Sequence, residues 1–170
     1  ELTAVGLLSD YFKKNGYKDL VAVAADIGAT KRARNVASKL DIPLAIMEKR
    51  RLGNNDKTET LNVIGDVKGK TALIVDDEID TAGSMTGVTN TLFDRGALEV
   101  YACATHPIFS GPAVDRISGS KLKRVVVTNT VPPKDGRLSG KVTYLSIAPL
   151  LGDAIRRIHT GQSVGAMFEK

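Results

Sequence analysis

The sequence predicts an α/β fold built on a mostly parallel, doubly wound sheet. Six apolar runs rich in β-branched residues are separated by segments with helical periodicity. The runs are continuous rather than alternating, as expected for strands covered on both faces. Alternating strands and helices favour parallel connections. The runs are LVAVAA (20–25), PLAIM (43–47), TALIV (71–75), VYACA (100–104), RVVVT (124–128) and VTYLSI (142–147).

Helices are indicated between these runs by apolar residues three or four positions apart. Gly16 and Gly96 are placed to end the helices that carry Phe12 and Leu92, because glycine adopts the left-handed conformation common at a helix C-terminus. Pro149 is placed to begin the last helix, where its missing N–H group has no intrahelical partner to lose. The predicted apolar faces comprise Val5, Leu8 and Phe12; Met85, Val88 and Leu92; and Leu151, Ala154, Ile155 and Ile158.

Length and composition indicate a single soluble domain spanning residues 1–170. Of the 170 residues, 42% are hydrophobic and 25% charged, and no stretch approaches the roughly 18 apolar residues of a membrane span. We therefore expect no membrane partner. The single cysteine, Cys103, lies in the apolar run VYACA, which predicts a buried core residue and a reduced compartment, the cytoplasm.

The basic charge balance is compatible with three classes of partner. A formal net charge of +5 suits nucleic acid, an anionic membrane surface or small phosphorylated ligands. Only 5% of residues are aromatic, and the basic clusters lack the interleaved stacking residues of nucleic-acid binders. We therefore favour a phosphorylated ligand and expect no nucleic-acid partner. The clusters are KRAR (31–34), EKRR (48–51) and KLKR (121–124).

Four carboxylates follow directly on the predicted strand in TALIVDDEIDTAGS (71–84). They belong to Asp76, Asp77, Glu78 and Asp80. Like charges this close require compensation, by bulk water, by a bound cation or by a ligand with hydroxyl donors. The alternative is a cluster of acids capping a helix N-terminus, although four acids exceed what a cap needs.

A turn of small residues, Thr81-Ala82-Gly83-Ser84, leads from these acids into the helix that carries Met85. Small residues let the backbone wrap closely, and the free N–H groups of a helix start can bind a phosphate. The carboxylates would lie to one side, where acceptors for sugar hydroxyls or for a hydrated Mg²⁺ are needed. One loop would thus bind both ends of a sugar phosphate.

A second phosphate-binding segment is predicted in AADIGATKRAR (24–34). Asp26 lies at a strand end, where it is available to a metal; Gly28 and Ala29 permit a tight backbone, and a basic helix follows. The alternative is an ordinary strand-to-helix turn with a solvated basic face. The P-loop mode of nucleotide binding is excluded, because no GxxxxGK[ST] motif occurs.

Other polar segments have both functional and structural interpretations. The cations of MEKRR (47–51) either form a solvated face or close over a transferring phosphoryl group, with the polar loop 50–60 as a mobile lid. Segment 132–141 is typical of a solvated surface turn. His106 is either a general base or, more simply, a hydrogen-bonded loop residue. His159 suits the C-terminus of the last helix.

The motif VDDEIDTAGS resembles the phosphoribosyl-pyrophosphate-binding motif of type I phosphoribosyltransferases and of ribose-phosphate pyrophosphokinases. The remaining motifs are similar to the carboxyl-terminal half of the pyrophosphokinases, in the same order over essentially the whole chain. This resemblance implies a type I phosphoribosyltransferase-like domain, the carboxyl-terminal domain of a two-domain enzyme. The motifs are DIGATKRAR, AIMEKRR, NVIGDVKGK, YACATHPIFSGPAVDRI, VVVTNT, LSIAPLLGDAIRRIHTGQSV and MFEK.

That family transfers the β,γ-diphosphoryl group of MgATP to the anomeric hydroxyl of ribose 5-phosphate. The resemblance implies Mg²⁺ as cofactor, with ribose 5-phosphate and ATP as partners. The resemblance assigns no ligand to Glu78, which is expected to face solvent. The implied residues are Asp80, Thr81, Ala82, Gly83 and Ser84 for the 5-phosphate; Asp76 and Asp77 for the ribose hydroxyls; Asp26, Ile27, Gly28 and Ala29 for the pyrophosphate loop, with Asp26 approaching Mg²⁺; and Lys49 and Arg51 as the catalytic pair on a flexible loop.

Two departures from the family pattern stand out. The pyrophosphate loop has Gly28-Ala29 where the family often has Gly-Gly, which a backbone-binding loop tolerates only if φ stays negative at Ala29. The tail SVGAMF (163–168) has Gly165 in place of a serine of the family's regulatory phosphate and ADP site, so we do not expect allosteric control by that route.

The resemblance also implies an incomplete active site. The family's ATP-binding residues and a metal-binding histidine come largely from an amino-terminal half and from a neighbouring subunit. We therefore expect this chain to bind ribose 5-phosphate, to need the amino-terminal half and a homo-oligomer for catalysis, and to be inactive alone. Two alternatives remain open: a phosphoribosyltransferase, which would need a binding site for a base, and a noncatalytic regulatory homologue, which would be expected to lose the KRR loop or the acidic pair.

Overall fold

The computed structural model describes residues 2–51, 59–133, 136–138 and 140–167. It has a seven-stranded sheet in the order β3-β2-β1-β4-β5-β6-β7, in which β2 and β3 pair antiparallel and the other neighbours pair parallel. The strands are β1 (Leu20–Ala24), β2 (Leu44–Arg51), β3 (Glu59–Ile64), β4 (Thr71–Ile79), β5 (Glu99–Pro107), β6 (Arg124–Thr128) and β7 (Val142–Leu145). The helices are α1 (Val5–Lys14), α2 (Thr30–Leu40), α3 (Gly83–Asp94), α4 (Ala113–Gly119) and α5 (Ala148–His159).

The predicted fold class is confirmed, because helices cover both faces of a mostly parallel sheet. One core cluster joins Leu8 and Phe12 of α1 to Val36 of α2 and to one face of the central strands. The other joins Val88 of α3 and Ile117 of α4 to the opposite face. Every residue of β1 is buried, as the continuous apolar runs predicted.

The sheet has a topological switch point between β1 and β4. From β1 the chain passes through α2 to β2 on one side, and it returns to pair β4 with the other side of β1. Ala24 at the end of β1 is in register with Val75 of β4. Ligands of open α/β sheets bind outside the carboxyl ends of the strands at such a point. Both predicted phosphate segments begin there.

Strand β4 is longer than the predicted run 71–75. Asp76, Glu78 and Ile79 continue the parallel pairing with β5, and Ile79 is buried. Asp76, Asp77 and Glu78 therefore lie within the last part of the strand, and only Asp80 follows it. Sequence reasoning ended the strand too early, because charged residues are rare in strands buried on both faces.

Strand β3 was not predicted. It pairs antiparallel with β2 at the edge of the sheet, where Arg51 is in register with Glu59. The prediction of one polar loop over 50–60 is therefore wrong at both ends, because an edge strand accepts polar residues. Residues 52–58, on which the lid prediction rests, lie outside the described residues.

Segment 132–141 contributes a side chain to the core. A short 3₁₀ turn at Gly136–Leu138 buries Leu138, which belongs to the core cluster under α3 and α4. The interpretation of the whole segment as a solvated turn is wrong there, because a single leucine among polar residues gives no periodic signal. Among the described ranges, no helix is long and apolar enough to cross a lipid bilayer.

Candidate functional site

A pocket of about 230 Å³ lies at the carboxyl end of β4 and is lined by residues 76–85. It extends from the acidic end of the strand to the first turn of α3. All the predicted sugar-phosphate residues line this pocket. They are Asp76, Asp77, Asp80, Thr81, Ala82, Gly83 and Ser84.

The start of α3 presents unpaired backbone donors to this pocket. Ala82 is the N-cap residue and makes no side-chain capping bond, and the first N–H groups of a helix have no intrahelical acceptor. Thr81 and Ser84 are exposed and line the pocket as well. Together with the positive end of the helix dipole, these groups suit an anion. The alternative reading of the acids as a helix cap is wrong, since the first turn of α3 contains none.

The predicted phosphate segment, residues 80–84, contains an uncommon backbone conformation at Ala82. Its φ of 59° and ψ of 10° lie in the left-handed region, which residues with a Cβ atom rarely adopt. Ala82 is also buried. Such strain persists only where surrounding contacts hold the chain in place.

Those contacts come from the segment between β5 and α4 and from α4 itself. The amide of Phe109 donates to the carbonyl of Ile79 at 2.9 Å, and the amide of Ser110 donates to that of Asp80 at 3.0 Å. The Ser110 hydroxyl also donates to the Asp80 carboxylate. Arg116 Nη1 donates to the Thr81 carbonyl at 3.0 Å. Asp80 therefore acts as part of the loop framework.

Arg32, from the first turn of α2, compensates the carboxylates at the other end of the pocket. Its Nη2 lies 2.7 Å from Asp77 Oδ2, and its Nη1 lies 3.5 Å from Asp76 Oδ1. The three predicted sources of compensation, water, a cation or a ligand, did not include an arginine of the chain itself. Glu78 is exposed, as predicted.

The two neighbouring aspartates have different proton affinities. Burial, and the hydrogen bond with Asp77, raise the pKa of Asp76 to about 6, against the opposing charge of Arg32. The pKa of Asp77 is lowered, because its hydrogen bond with Asp76 and the Arg32 charge outweigh its slight burial. The pair titrates as one coupled unit, in which Asp76 takes up the proton first on acidification.

The predicted pyrophosphate loop forms a tight turn between β1 and α2. Asp26 Oδ1 accepts a hydrogen bond from the Ala29 amide at 2.9 Å. A Cβ atom on Gly28 would lie 3.2 Å from that oxygen, so glycine keeps the turn close. Ala29 has a φ of −78°, which meets the condition for alanine in place of glycine. Asp26, Ile27 and Gly28 are exposed.

The predicted catalytic pair, Lys49 and Arg51, belongs to β2 and pairs with Leu61 and Glu59 of β3. The side chains of Lys49 and Arg51 lie outside the described residues. Because β2 runs parallel to β1, the pair lies towards the same edge of the sheet as the Asp26 turn.

Three further predicted residues have defined positions. His106 lies on β5 rather than in a loop, and its Nδ1 is 3.0 Å from Thr130 Oγ1, so the hydrogen-bonded interpretation holds for its contact. His159 is the last residue of α5, as predicted. Cys103 is fully buried, and burial raises its thiol pKa to about 12.

Sequence reasoning missed Arg32, Ser110 and Arg116 as site residues. Arg32 lies in the basic cluster KRAR, which was assigned to a solvated face or to phosphate. Ser110 and Arg116 lie in the segment HPIFSGPAVDRI, which gave only a family resemblance. No local pattern marks these contacts, because each partner lies in another element of the fold. Within the described ranges, no group of three or more His, Cys, Asp or Glu residues could hold a metal ion.

Comparison with known proteins identifies the family. Residues 52–169 match the family model described as "Phosphoribosyl synthetase-associated domain", and the chain belongs to this family. It is 47% identical over 168 residues to the ribose-phosphate pyrophosphokinase of Oceanobacillus iheyensis, covering 99% of this chain and 53% of that protein. With the ribose-phosphate pyrophosphokinase of Synechocystis it shares 50% identity over 163 residues, covering 95% of this chain and 49% of that protein.

A solved structure shows the same architecture. The phosphoribosylpyrophosphate synthetase from Mycobacterium smegmatis superposes with a TM-score of 0.84 at 37% identity, covering 93% of this chain and 51% of that one. The predicted family and fold are thereby confirmed. The chain spans about half the length of the relatives that it matches.

Proposed function

We propose that this chain is the sugar-phosphate-binding domain of a ribose-phosphate pyrophosphokinase. The enzyme would transfer the β,γ-diphosphoryl group of ATP to the anomeric hydroxyl of ribose 5-phosphate, forming phosphoribosyl pyrophosphate and AMP. The observation that carries this proposal is one continuous pocket at the topological switch point, which has anion donors at one end and carboxylates at the other. A ligand with both a phosphate and hydroxyl groups would use both ends.

The phosphate end would bind the 5-phosphate. The backbone amides at the start of α3 and the hydroxyls of Thr81 and Ser84 supply donors without a formal charge. The carboxylates of Asp76 and Asp77 would accept hydrogen bonds from the ribose hydroxyls. Binding at both ends would hold the anomeric hydroxyl in one orientation, which lowers the entropic part of the barrier.

The turn after β1 would hold the transferred pyrophosphate with backbone amides of Ile27, Gly28 and Ala29. Asp26 fits a hydrated Mg²⁺, because its Oδ1 is bonded to the Ala29 amide while the exposed carboxylate has a second oxygen available. Magnesium in such sites keeps several waters and is bound by one or two carboxylates and substrate phosphates. When bound, it would supply charge neutralisation for the phosphoryl groups.

Lys49 and Arg51 would stabilise negative charge on the diphosphoryl group during transfer, since phosphoryl transfer depends on positioning and electrostatic stabilisation. Their position on β2, next to β1, supports this role.

The rest of the active site would come from other chain segments. We propose that an amino-terminal half supplies most of the ATP site. We also propose that the active enzyme is a cytoplasmic homo-oligomer. An apolar stripe on α5 supports a covering partner: Leu151, Ile155 and Ile158 are 44%, 67% and 69% exposed. Such a stripe is typical of a surface that another domain buries.

Isothermal titration calorimetry tests the proposal with three ligands: ribose 5-phosphate, ribose and inorganic phosphate. We expect ribose 5-phosphate to bind at least about tenfold more tightly than either of its parts, because the two contacts reinforce one another once linked. Equal affinities for ribose 5-phosphate and inorganic phosphate would refute the two-ended site.

A further inference from the structure

Arg32 lies on a basic helix, but its side chain contacts two carboxylates of another element. Its guanidinium group reaches across the switch point from α2 to the end of β4, where it contacts Asp77 at 2.7 Å and approaches Asp76 at 3.5 Å. The Arg32 side chain is only 31% exposed, so this charge is withdrawn from bulk solvent. A planar guanidinium presents several fixed donors and can therefore orient two carboxylates at once.

The contact leaves part of each carboxylate available to a ligand. Asp76 Oδ1 accepts the Asp77 amide at 2.9 Å, and Asp77 Oδ1 accepts the Glu78 amide at 3.0 Å. Arg32 therefore completes a set of contacts that fixes both carboxylate planes. Each carboxylate oxygen has two lone pairs, so acceptor capacity remains for hydroxyl groups.

Arg32 also connects the acidic end of β4 to the predicted pyrophosphate loop. It lies two residues into α2, which begins at the turn held by the hydrogen bond between Asp26 and Ala29. Together with Gly28 and Lys31 it lines a neighbouring cavity of about 360 Å³. Arg32 thus lines the space beside the pyrophosphate loop while its guanidinium group contacts the two carboxylates of the neighbouring pocket.

From these contacts we infer that Arg32 is a positioning residue. It holds the carboxylates of Asp76 and Asp77 in the orientation in which they accept hydrogen bonds from the ribose hydroxyls. It acts through the carboxylates and does not contact the phosphate end. This inference rests on the proposed function, and it adds a residue to the sugar site. Arg32 supports the ionised state as well, since its charge opposes the rise in the pKa of Asp76.

The test compares Arg32→Gln and Arg32→Lys with Arg34→Gln, which removes the same charge from an exposed position of α2. We expect Arg32→Gln to weaken ribose 5-phosphate binding about tenfold, the scale of a charged hydrogen-bonding pair, and inorganic phosphate binding less than twofold. Arg34→Gln should change neither affinity by more than twofold. Arg32→Lys should be intermediate, because an ammonium group keeps the charge without bridging both carboxylates.

A double-mutant cycle with Asp77→Asn separates positioning from a general loss of charge. If Arg32 acts through Asp77, the double variant binds ribose 5-phosphate no more weakly than Asp77→Asn alone. Circular dichroism and denaturation midpoints verify folding, and Arg32→Lys carries the test if Arg32→Gln does not fold.

Three results would overturn the inference: equal effects of Arg32→Gln and Arg34→Gln, an equal loss of phosphate binding, or additive effects in the cycle. These results differ from failure of the proposed function. In that case the unsubstituted chain itself would bind ribose 5-phosphate no better than inorganic phosphate.

Discussion

Asp76 and Asp77 are neighbours in sequence but occupy different environments. The side chain of Asp76 is 29% exposed and that of Asp77 is 55% exposed. Burial raises the pKa of Asp76 to about 6, whereas that of Asp77 is lowered by its hydrogen bond with Asp76 and by Arg32. Ionisation of Asp76 at neutral pH is therefore unfavourable for folding, but it would let the carboxylate accept hydrogen bonds from ligand hydroxyl groups.

Asp76→Asn is expected to stabilise the fold at neutral and higher pH. The folded chain holds the Asp76 proton up to a pH of about 6, whereas the unfolded chain loses it near 3.8, so stability falls as pH rises between these values. Each tenfold difference in proton affinity is 1.36 kcal/mol. Allowing for partial exposure, we expect a gain of about 2 kcal/mol at pH 8 that shrinks towards zero at pH 4.

Urea denaturation at the two pH values measures this gain. Asp10→Asn, at an exposed position of α1, is the matched control and should change stability by less than about 0.5 kcal/mol at both. A gain in stability from Asp76→Asn that is the same at pH 4 and pH 8 would contradict the raised pKa of Asp76.

Asp77 and Glu78 offer a direct test of which acids serve the ligand. Asp77→Ala should weaken ribose 5-phosphate binding by about tenfold or more, because it removes an oriented acceptor of the pocket. Glu78→Ala removes the same charge from an exposed neighbour and should change affinity less than twofold. Titration calorimetry measures both, and similar losses would refute the division of roles.

Among the secondary-structure elements, the bounds of fully apolar strands were predicted more accurately than those of strands that contain polar residues. β1 and β6 agree with their predicted apolar runs to within a residue. β4 extends past its run, because its last residues are acidic while β5 still pairs with them. The edge strand β3 was missed, since one side of an edge strand has no neighbour to impose an apolar pattern.

The turn into α3 is predicted to depend on the backbone of Ala82. Ala82→Val should lower the free energy of unfolding by about 2 kcal/mol and impair phosphate binding, because a β-branched residue is strained at a φ of 59°. Ala82→Gly should change stability by less than about 1 kcal/mol, as relief of strain offsets the lost methyl group and the added freedom of the unfolded chain.

Denaturation and inorganic phosphate titration of both Ala82 variants would check this prediction. The glycine variant serves as the control, since it keeps the backbone conformation accessible. If the valine variant bound phosphate as well as the glycine variant, the left-handed conformation at this position would not be needed for the site.

For the molecule as a whole, we propose that most of the ATP site belongs to an amino-terminal half outside residues 1–170. The chain spans about half the length of the relatives that it matches, and its site is open at the carboxyl edge of the sheet. Under the proposed function, a sugar-phosphate site and a nucleotide site on different domains would let this chain bind ribose 5-phosphate without turning it over.

The chain alone is therefore expected to form no AMP from ribose 5-phosphate and MgATP. Activity should appear when it is fused to, or mixed with, the amino-terminal half of the Oceanobacillus iheyensis relative, to which it is 47% identical in the matching region. Chromatographic detection of AMP measures this, with Asp77→Ala as the inactive control. Turnover by the 170-residue chain alone would contradict the incomplete site.

Local composition was sufficient to predict the α/β class, the apolar strands and the small-residue turn after the acids. Each of these features is encoded by neighbouring residues, so a short window carries the signal. The contacts of Arg32 with Asp77 and of Arg116 with the Thr81 carbonyl became visible only in the folded chain. They join residues far apart in sequence, and their distances depend on strand order and helix packing, which no local pattern encodes.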